Sequence, residues 1–151
     1  MSHNRGRTRT HLELSKLIFG LCGIFILPIL NGCESSMRVR VTGDLSNPVF
    51  SLSEGETFNA ATPCLTDLIV RKSKSSGPNG VVWHVTAVHG CAVVRTVQYL
   101  GPNQGMIVVY PPQNLAPEET YQVIGRGWGR IGECNFAFTR GQFRLDKRTC
   151  S

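Results

Sequence analysis

The chain has 151 residues, of which 41% are apolar and 17% charged, and its formal net charge is +6. That length accommodates one domain, and the composition is that of an ordinary globular protein rather than of a low-complexity chain. Without residues 1–32, 12 Lys and Arg face 9 Asp and Glu, so the remaining chain carries only +3. An excess of this size gives no support to a nucleic-acid partner.

The chain opens with a basic segment followed by a short apolar run. Arg5, Arg7, Arg9 and Lys16 precede the fourteen apolar or small residues of 17–30. In a helix this run spans about 21 Å, which is shorter than the roughly 30 Å hydrocarbon core of a bilayer. A basic start, an apolar stretch of this length and a small residue before the cleavage point are typical of a secretory signal peptide.

The apolar run ends in residues 30–33, Leu-Asn-Gly-Cys, which resemble the lipobox of bacterial lipoproteins. The resemblance implies removal of residues 1–32 as a signal peptide and attachment of diacylglycerol to Cys33, with acylation of the new amino group. Two or three acyl chains anchor a protein stably, whereas one chain binds only marginally. An uncleaved membrane anchor and an ordinary secretory signal are the alternatives for this segment.

The residue after the lipidated cysteine bears on where such a protein is sorted. Glu34 is not the aspartate associated with inner-membrane retention. We therefore expect the outer membrane, with the domain facing the periplasm. The inner membrane and the cell surface are the alternatives.

The cysteine count supports export. Four cysteines remain after Cys22 leaves with the leader and Cys33 receives the lipid: Cys64, Cys91, Cys134 and Cys150. An even number of thiols in an exported domain indicates two disulfides, with three possible pairings. Proximity along the chain favours the pairs 64–91 and 134–150. Since no C-x-x-C motif occurs, we expect no zinc site.

Residues 33–36 form a short tether, and residues 37–151 are predicted to form one all-β domain close to the membrane. No segment after residue 33 has a sustained helical period, and short runs of β-forming residues alternate with turn signals. The predicted strands are Met37–Val41, Val49–Leu52, Leu68–Arg71, Val81–Val88, Val93–Leu100, Met106–Tyr110, Tyr121–Ile124, Cys134–Phe138 and Gln142–Leu145. About seven to nine short strands at this spacing indicate a sandwich or a small barrel.

One local pattern favours the sandwich. The segment 115–123, Leu-Ala-Pro-Glu-Glu-Thr-Tyr-Gln-Val, resembles the entry to the penultimate strand of fibronectin type III and related immunoglobulin-like domains. The resemblance implies a tyrosine corner, in which the hydroxyl of Tyr121 bonds back to the preceding turn. Glu118 stands where most members of that family have glycine. We therefore expect an immunoglobulin-like β-sandwich.

The glycine-rich segment 127–132 matches G-x-G-x-x-G in form only. A dinucleotide site needs a helix after the motif, and a predicted strand follows here, so the segment is interpreted as a loop between strands. Arg126, Trp128 and Arg130 alternate with its glycines, and tryptophan and arginine are enriched at interaction hot spots. Trp128 either folds back over the end of the sandwich or contacts a ligand or partner. These three residues are the predicted partner contact.

The remaining candidate ligands form no recognisable metal or catalytic motif. His84 and His89 lie five apart, so an unbroken strand directs them to opposite faces, and both are predicted to face solvent. Met37 and Met106 would suit copper, but nothing in the sequence brings them together. Trp83 alternates with valines and is predicted to point into the core. There is no G-x-S-x-G motif, and we expect neither an enzyme nor a cofactor.

The expected function is therefore non-catalytic binding by a lipid-anchored envelope protein, acting as an accessory or assembly component with a protein partner. A periplasmic inhibitor or immunity protein directed against an envelope-acting toxin or hydrolase is the first alternative. The sequence does not separate these two, since both would be small, anchored and braced by disulfides. A copper-binding periplasmic protein is a further alternative.

Overall fold

A computed structural model describes residues 36–55, 61–75, 77–146 and 150. The chain divides into two compact units, Met1–Cys33 and Glu34–Ser151, and every described residue belongs to the second. The predicted signal peptide and the lipidation site at Cys33 lie outside the described residues. Within the described ranges, no helix is long and apolar enough to cross a membrane.

The described part of the chain is all-β apart from one 3₁₀ turn at Pro78–Gly80. Its ten strands are β1 Met37–Gly43, β2 Pro48–Glu54, β3 Cys64–Lys72, β4 Val81–Ala87, β5 Ala92–Val93, β6 Thr96–Gln98, β7 Met106–Tyr110, β8 Thr120–Gly127, β9 Arg130–Thr139 and β10 Gln142–Leu145. The predicted strands all reappear, although β3, β8 and β9 begin or end several residues beyond their predicted limits.

The strands form two antiparallel sheets. The smaller sheet has the order β1-β2-β6, and the larger has the order β10-β9-β8-β3-β4-β7, with β5 also paired to β3. The predicted β-sandwich is thus confirmed as an all-β structure of two antiparallel sheets. The two sheets pack around one apolar core that contains side chains from both of them.

One predicted strand is divided between the two sheets. The segment 93–100 alternates as a single strand in sequence, but β5 pairs with β3 of the larger sheet and β6 with β2 of the smaller one. Between them the N–H of Val94 donates to the carbonyl of Pro63, and the carbonyl of Arg95 accepts from the N–H of Leu52. The chain therefore crosses from one sheet to the other here, which raises the strand count above that predicted.

Aromatic side chains fill the centre of the core. Phe50 stacks on Trp83 with ring centroids 5.9 Å apart and meets Phe136 edge-on at the same distance. Trp83 is 1% exposed, so the prediction that it points into the core is confirmed. Offset and edge-on pairs of this kind contribute beyond the area they bury.

The tyrosine corner is present. The hydroxyl of Tyr121 accepts a hydrogen bond of 2.8 Å from the backbone N–H of Ala116, and the Tyr121 ring is buried. Glu118 has a φ of 63°. In a turn that begins with proline, the next position often requires positive φ and therefore favours glycine. Glu118 thus holds a left-handed conformation that glycine adopts more readily than other residues.

Strand β1 approaches β8 and β9 closely because glycines face it. A Cβ at Gly125 would lie 3.1 Å from the Sδ of Met37, and a Cβ at Gly127 would lie 3.1 Å from its Cε. A Cβ at Gly132 would overlap the backbone carbonyl of Met37. The chain thus enters the sandwich against the end of β8 and the start of β9, and this end of the domain is called the entry end below.

Two disulfides brace the sandwich. Cys64 bonds to Cys91 and Cys134 bonds to Cys150, which are the pairs that proximity along the chain predicts. The first disulfide joins the start of β3 to the segment that precedes β5. The second joins the middle of β9 to the residues that follow β10.

Candidate contact surfaces

The segment between β8 and β9 is a tight hairpin rather than a long loop. β8 ends at Gly127 and β9 begins at Arg130, so only Trp128 and Gly129 lie between the strands. Gly129 has a φ of 65°, a left-handed conformation that glycine adopts without strain. The strands on both sides thus hold the tip of the hairpin in place.

Trp128 projects from that tip. Its side chain is 71% exposed, so the alternative in which it folds back as part of the core is wrong. Its ring borders the turn after β4, where a Cβ at Gly90 would lie 3.7 Å from its Cζ2. A large exposed aromatic ring at a fixed position is characteristic of a contact residue.

The three residues of the predicted partner contact do not share one face. Arg126 pairs with Ile131 across the hairpin, and both are exposed on the outer face of the larger sheet. Arg130 lies one position away along the strand, so its side chain points to the opposite face. There it forms an ion pair with Glu54 of β2. The structure therefore leaves Arg126 and Trp128 available for contact and engages Arg130 within the domain.

Further apolar side chains lie around Trp128 at the entry end. Val93 is 72% exposed and pairs with Cys64, while the next residue of β3, Leu65, pairs with Gly127. These registers place Val93 and the Trp128 hairpin on either side of the start of β3. Val88 follows the end of β4, and Ile131 lies at the start of β9; both are about half exposed. The term entry-end surface denotes Val88, Val93, Trp128 and Ile131 together with Arg126.

Strand β7 forms a second exposed apolar surface. It lies at the edge of the larger sheet and pairs only with β4. The four residues from Ile107 to Tyr110 are 39% to 57% exposed. Because successive residues of a strand point to opposite faces, both faces of β7 are open as well as its free edge. The sequence predicts the strand itself, but its place in the sheet was not predictable from its own residues.

A polar network on the outer face of the larger sheet was not predicted. Nε2 of His84 lies 3.0 Å from Oδ1 of Asp67, so His84 faces solvent only in part. The Arg71 guanidinium donates to Gln122, whose amide donates to Glu133. Because Asp67 and His84 lie 17 residues apart, sequence spacing carried no signal that would pair them.

Asp67 is the best-connected group in that network. Burial raises the pKa of its carboxyl, but hydrogen bonds from His84 and from two threonines lower it more, so its pKa lies below the ordinary value. The carboxylate therefore stays ionised and bonded at neutral pH. These contacts join β3 to β4 and leave Asp67 engaged rather than free to act as a base.

A groove of about 540 Å³ lies at the end of the sandwich opposite the entry end. It is lined by Asp44, Leu45, Ser46, Tyr99, Leu100, Pro112, Gln113, Asn114, Leu115 and Phe138. The carboxylate of Asp44 accepts hydrogen bonds from the Ser46 hydroxyl and the Asn47 amide that close the β1–β2 turn. The groove therefore presents mainly leucine, proline and ring surfaces.

The candidate metal ligands are not assembled. Among the described residues, no three His, Cys, Asp or Glu side chains are close enough to hold a metal ion. His89 is exposed in the turn after β4. Met37, one of the two thioethers considered for copper, is buried in the core against the glycines of β8 and β9.

The fold and these surfaces define a class: a small, disulfide-braced antiparallel β-sandwich with exposed apolar surfaces at one end and along one edge. No protein-family model, curated protein or solved structure matches the chain.

Proposed function

We propose that the chain is a small lipid-anchored protein of the bacterial envelope that acts by binding, without catalysis, as an accessory or assembly component. The anchor is Cys33, and the location is the outer membrane facing the periplasm. The exposed apolar edge strand β7 carries the proposal that the domain binds another protein. Its free edge offers a site where a strand of a partner is added to the larger sheet.

The backbone of β7 has hydrogen-bonding groups to offer. The N–H of Val88 donates to the carbonyl of Gly105 at 3.0 Å, and Thr86 pairs with Ile107. Since antiparallel strands alternate between inward and outward backbone groups, the N–H and C=O of Val108 and the C=O of Met106 point away from β4, whereas the N–H of Met106 donates to the carbonyl of Asn103. A partner strand would bond to these groups.

The side chains of β7 do nothing to block such a partner. Natural edge strands are usually protected by charged residues, prolines or bulges that disfavour pairing. Residues 106–110 contain no charge and no proline, and the first proline is Pro111 just beyond them. The register with β4 shifts between Val108 and Tyr110, so the regular stretch offered to a partner is Met106–Val108. This apolar edge is what an added strand with apolar side chains requires.

We infer that the occupant is a strand of another envelope protein rather than a second copy of this chain. Two copies joined through β7 would pair antiparallel, which reverses one sandwich relative to the other. Their entry ends would then lie at opposite ends, separated along β1 by its seven residues, about 20 Å or more. A tether of residues 34–36 spans about 14 Å from Cys33 to Met37, so both copies could be anchored in one leaflet only if their strands lay parallel to the bilayer.

The test is photo-crosslinking in cells with a benzoyl-phenylalanine at position 109 of the full-length chain. We expect a heavier adduct that disappears with Val108→Pro, because proline removes the outward N–H but none of the inward ones. Val108→Thr keeps that N–H and is the matched control. The same crosslinker at Arg144, exposed on β10 at the other edge of the larger sheet, should give no such adduct.

Two results would contradict this assignment. One is an adduct that persists unchanged in a folded Val108→Pro variant, with folding checked by circular dichroism. The other is an adduct of twice the monomer mass, which would identify a second copy as the occupant. The anchor is tested separately: the parent should incorporate labelled fatty acid and Cys33→Ala should not.

A further inference from the structure

We infer that the entry-end surface rests on the phospholipid headgroups of the anchoring membrane, with the Trp128 ring in the interface. This inference rests on the proposed lipid anchor at Cys33. It assigns the Trp128 hairpin to the bilayer, and it leaves β7 as the surface for a protein partner.

The position of the chain entry places this surface next to the membrane. Met37 begins β1 and packs against Gly125, Gly127 and Gly132, so the chain enters the domain directly beside the Trp128 hairpin. Four Cα steps separate Met37 from Cys33, a reach of about 14 Å at full extension. An acylated Cys33 therefore holds the entry end within that distance of the bilayer surface.

The side chains at the entry end suit a lipid interface. Trp128 and Val93 are each more than two-thirds exposed, and Val88 and Ile131 are about half exposed. Tryptophan is enriched at membrane–water interfaces, where its ring is apolar and its N–H can reach water or headgroups. Arg126, exposed on the same hairpin, adds a cation that anionic headgroups attract.

The charge on the inward side of the hairpin does not oppose this arrangement. Glu54 at the end of β2 is the acid that meets the hairpin from the smaller sheet, and Arg130 forms an ion pair with it. That pair removes an uncompensated negative charge from the end that faces the lipid. On the outer face Arg126 lies opposite the ionised Asp67 in the register of β8 and β3, so the charges on that side are balanced as well.

A protein partner is a poorer occupant for this surface than lipid. The exposed apolar side chains come from four separate segments that surround the chain entry: the turn after β4, strand β5, the hairpin and the start of β9. A protein bound there would have to fit between the domain and the bilayer, within the reach of the tether. The bilayer is already at that position and needs no additional space.

The test uses the full-length lipidated protein in vesicles of phosphatidylethanolamine and phosphatidylglycerol, with or without brominated acyl chains. The chain has two tryptophans, and the other, Trp83, is buried. Brominated lipid should remove roughly half of the tryptophan emission, because only Trp128 reaches the quencher at the interface. Trp128→Phe should abolish this loss.

A matched control moves the exposed ring to the other end of the domain. In the double variant Trp128→Phe with Leu100→Trp, the new ring lies beside the groove opposite the entry end. It should be quenched by aqueous acrylamide and not by brominated lipid. Parent protein that gave this same pattern would overturn the inference.

Failure of the anchor and failure of the membrane contact give different results. Intact mass measures acylation of Cys33 in the same sample. If the protein is acylated and floats with the vesicles but Trp128 is not quenched, the anchor stands and the contact is overturned. If no acyl group is present, the anchor is overturned, and the membrane contact with it.

Discussion

The hydroxyl of Tyr121 makes one hydrogen bond whose energetic effect can be isolated. Tyr121→Phe removes the oxygen that accepts the hydrogen bond from the Ala116 N–H and leaves the buried ring in place. Because the N–H loses its partner beside a buried ring, we expect the free energy of unfolding to fall by about 1–2 kcal/mol.

Tyr110→Phe is the control for that measurement. The hydroxyl of Tyr110 accepts from the Gln113 side chain at the exposed edge of the sheet, where water replaces the lost bond. Its loss should cost less than about 0.5 kcal/mol. Urea denaturation of both variants measures the difference, and equal effects would show that the corner does not stabilise the fold.

Single residues differed in how far the sequence determined their environment. Trp83 was predictable because alternation in a strand assigns a face, and Tyr121 because its corner has a local pattern. The contact between His84 and Asp67 was not, since it joins different strands. Arg130 was predicted to act with Arg126 and Trp128, but the structure places its side chain on the opposite face from Arg126, beside Glu54.

The packing of β1 against β8 and β9 gives a prediction at the level of strands. Gly132→Ala places a Cβ on the carbonyl of Met37, and backbone cannot move aside as a side chain can. We expect a loss of at least about 2 kcal/mol in the free energy of unfolding. Hydrogen exchange should also accelerate in β1 before it does in β3 or β4.

Gly129→Ala separates crowding from backbone strain. A Cβ there meets nothing within 4 Å, so only the positive φ of 65° opposes it, at a cost of about 1 kcal/mol. A Gly132→Ala variant no less stable than Gly129→Ala would contradict the close approach of β1.

The order of strands in the sheets was beyond the reach of sequence patterns. The alternation of residue types predicted β10 at its observed limits and most of β1. It predicted residues 93–100 as a single strand. The alternation of apolar and polar residues is the same whichever sheet a strand joins. Only the observed pairing, of β5 with β3 and of β6 with β2, shows that residues 93–100 contribute to two strands. The bare edge of β7 is likewise a property of its neighbours.

The two disulfides act on the stability of the whole domain. They close loops with separations of 27 and 16 residues, and the chain-entropy model assigns each about 3 kcal/mol. Replacing either pair by alanine should lower the free energy of unfolding by that amount. Removing both pairs should therefore cost about 6 kcal/mol, a large share of the 5–15 kcal/mol that domains typically hold.

Reduction of the parent with dithiothreitol is the companion measurement. It should reproduce the thermal unfolding of the variant that lacks both pairs, because the same two links are lost. Free thiols on Cys64, Cys91, Cys134 or Cys150, detected by maleimide labelling before reduction, would contradict the pairing.

The exposed edge of β7, which has no charge and no proline, limits how much of this protein a cell can tolerate. A copy made before its partner presents a strand that any other exposed β-edge can extend, and such additions lead towards insoluble fibres. The amount of this protein therefore has to match the amount of its partner. Matched synthesis keeps β7 paired with the partner strand, whereas overproduction of this protein alone favours precipitation.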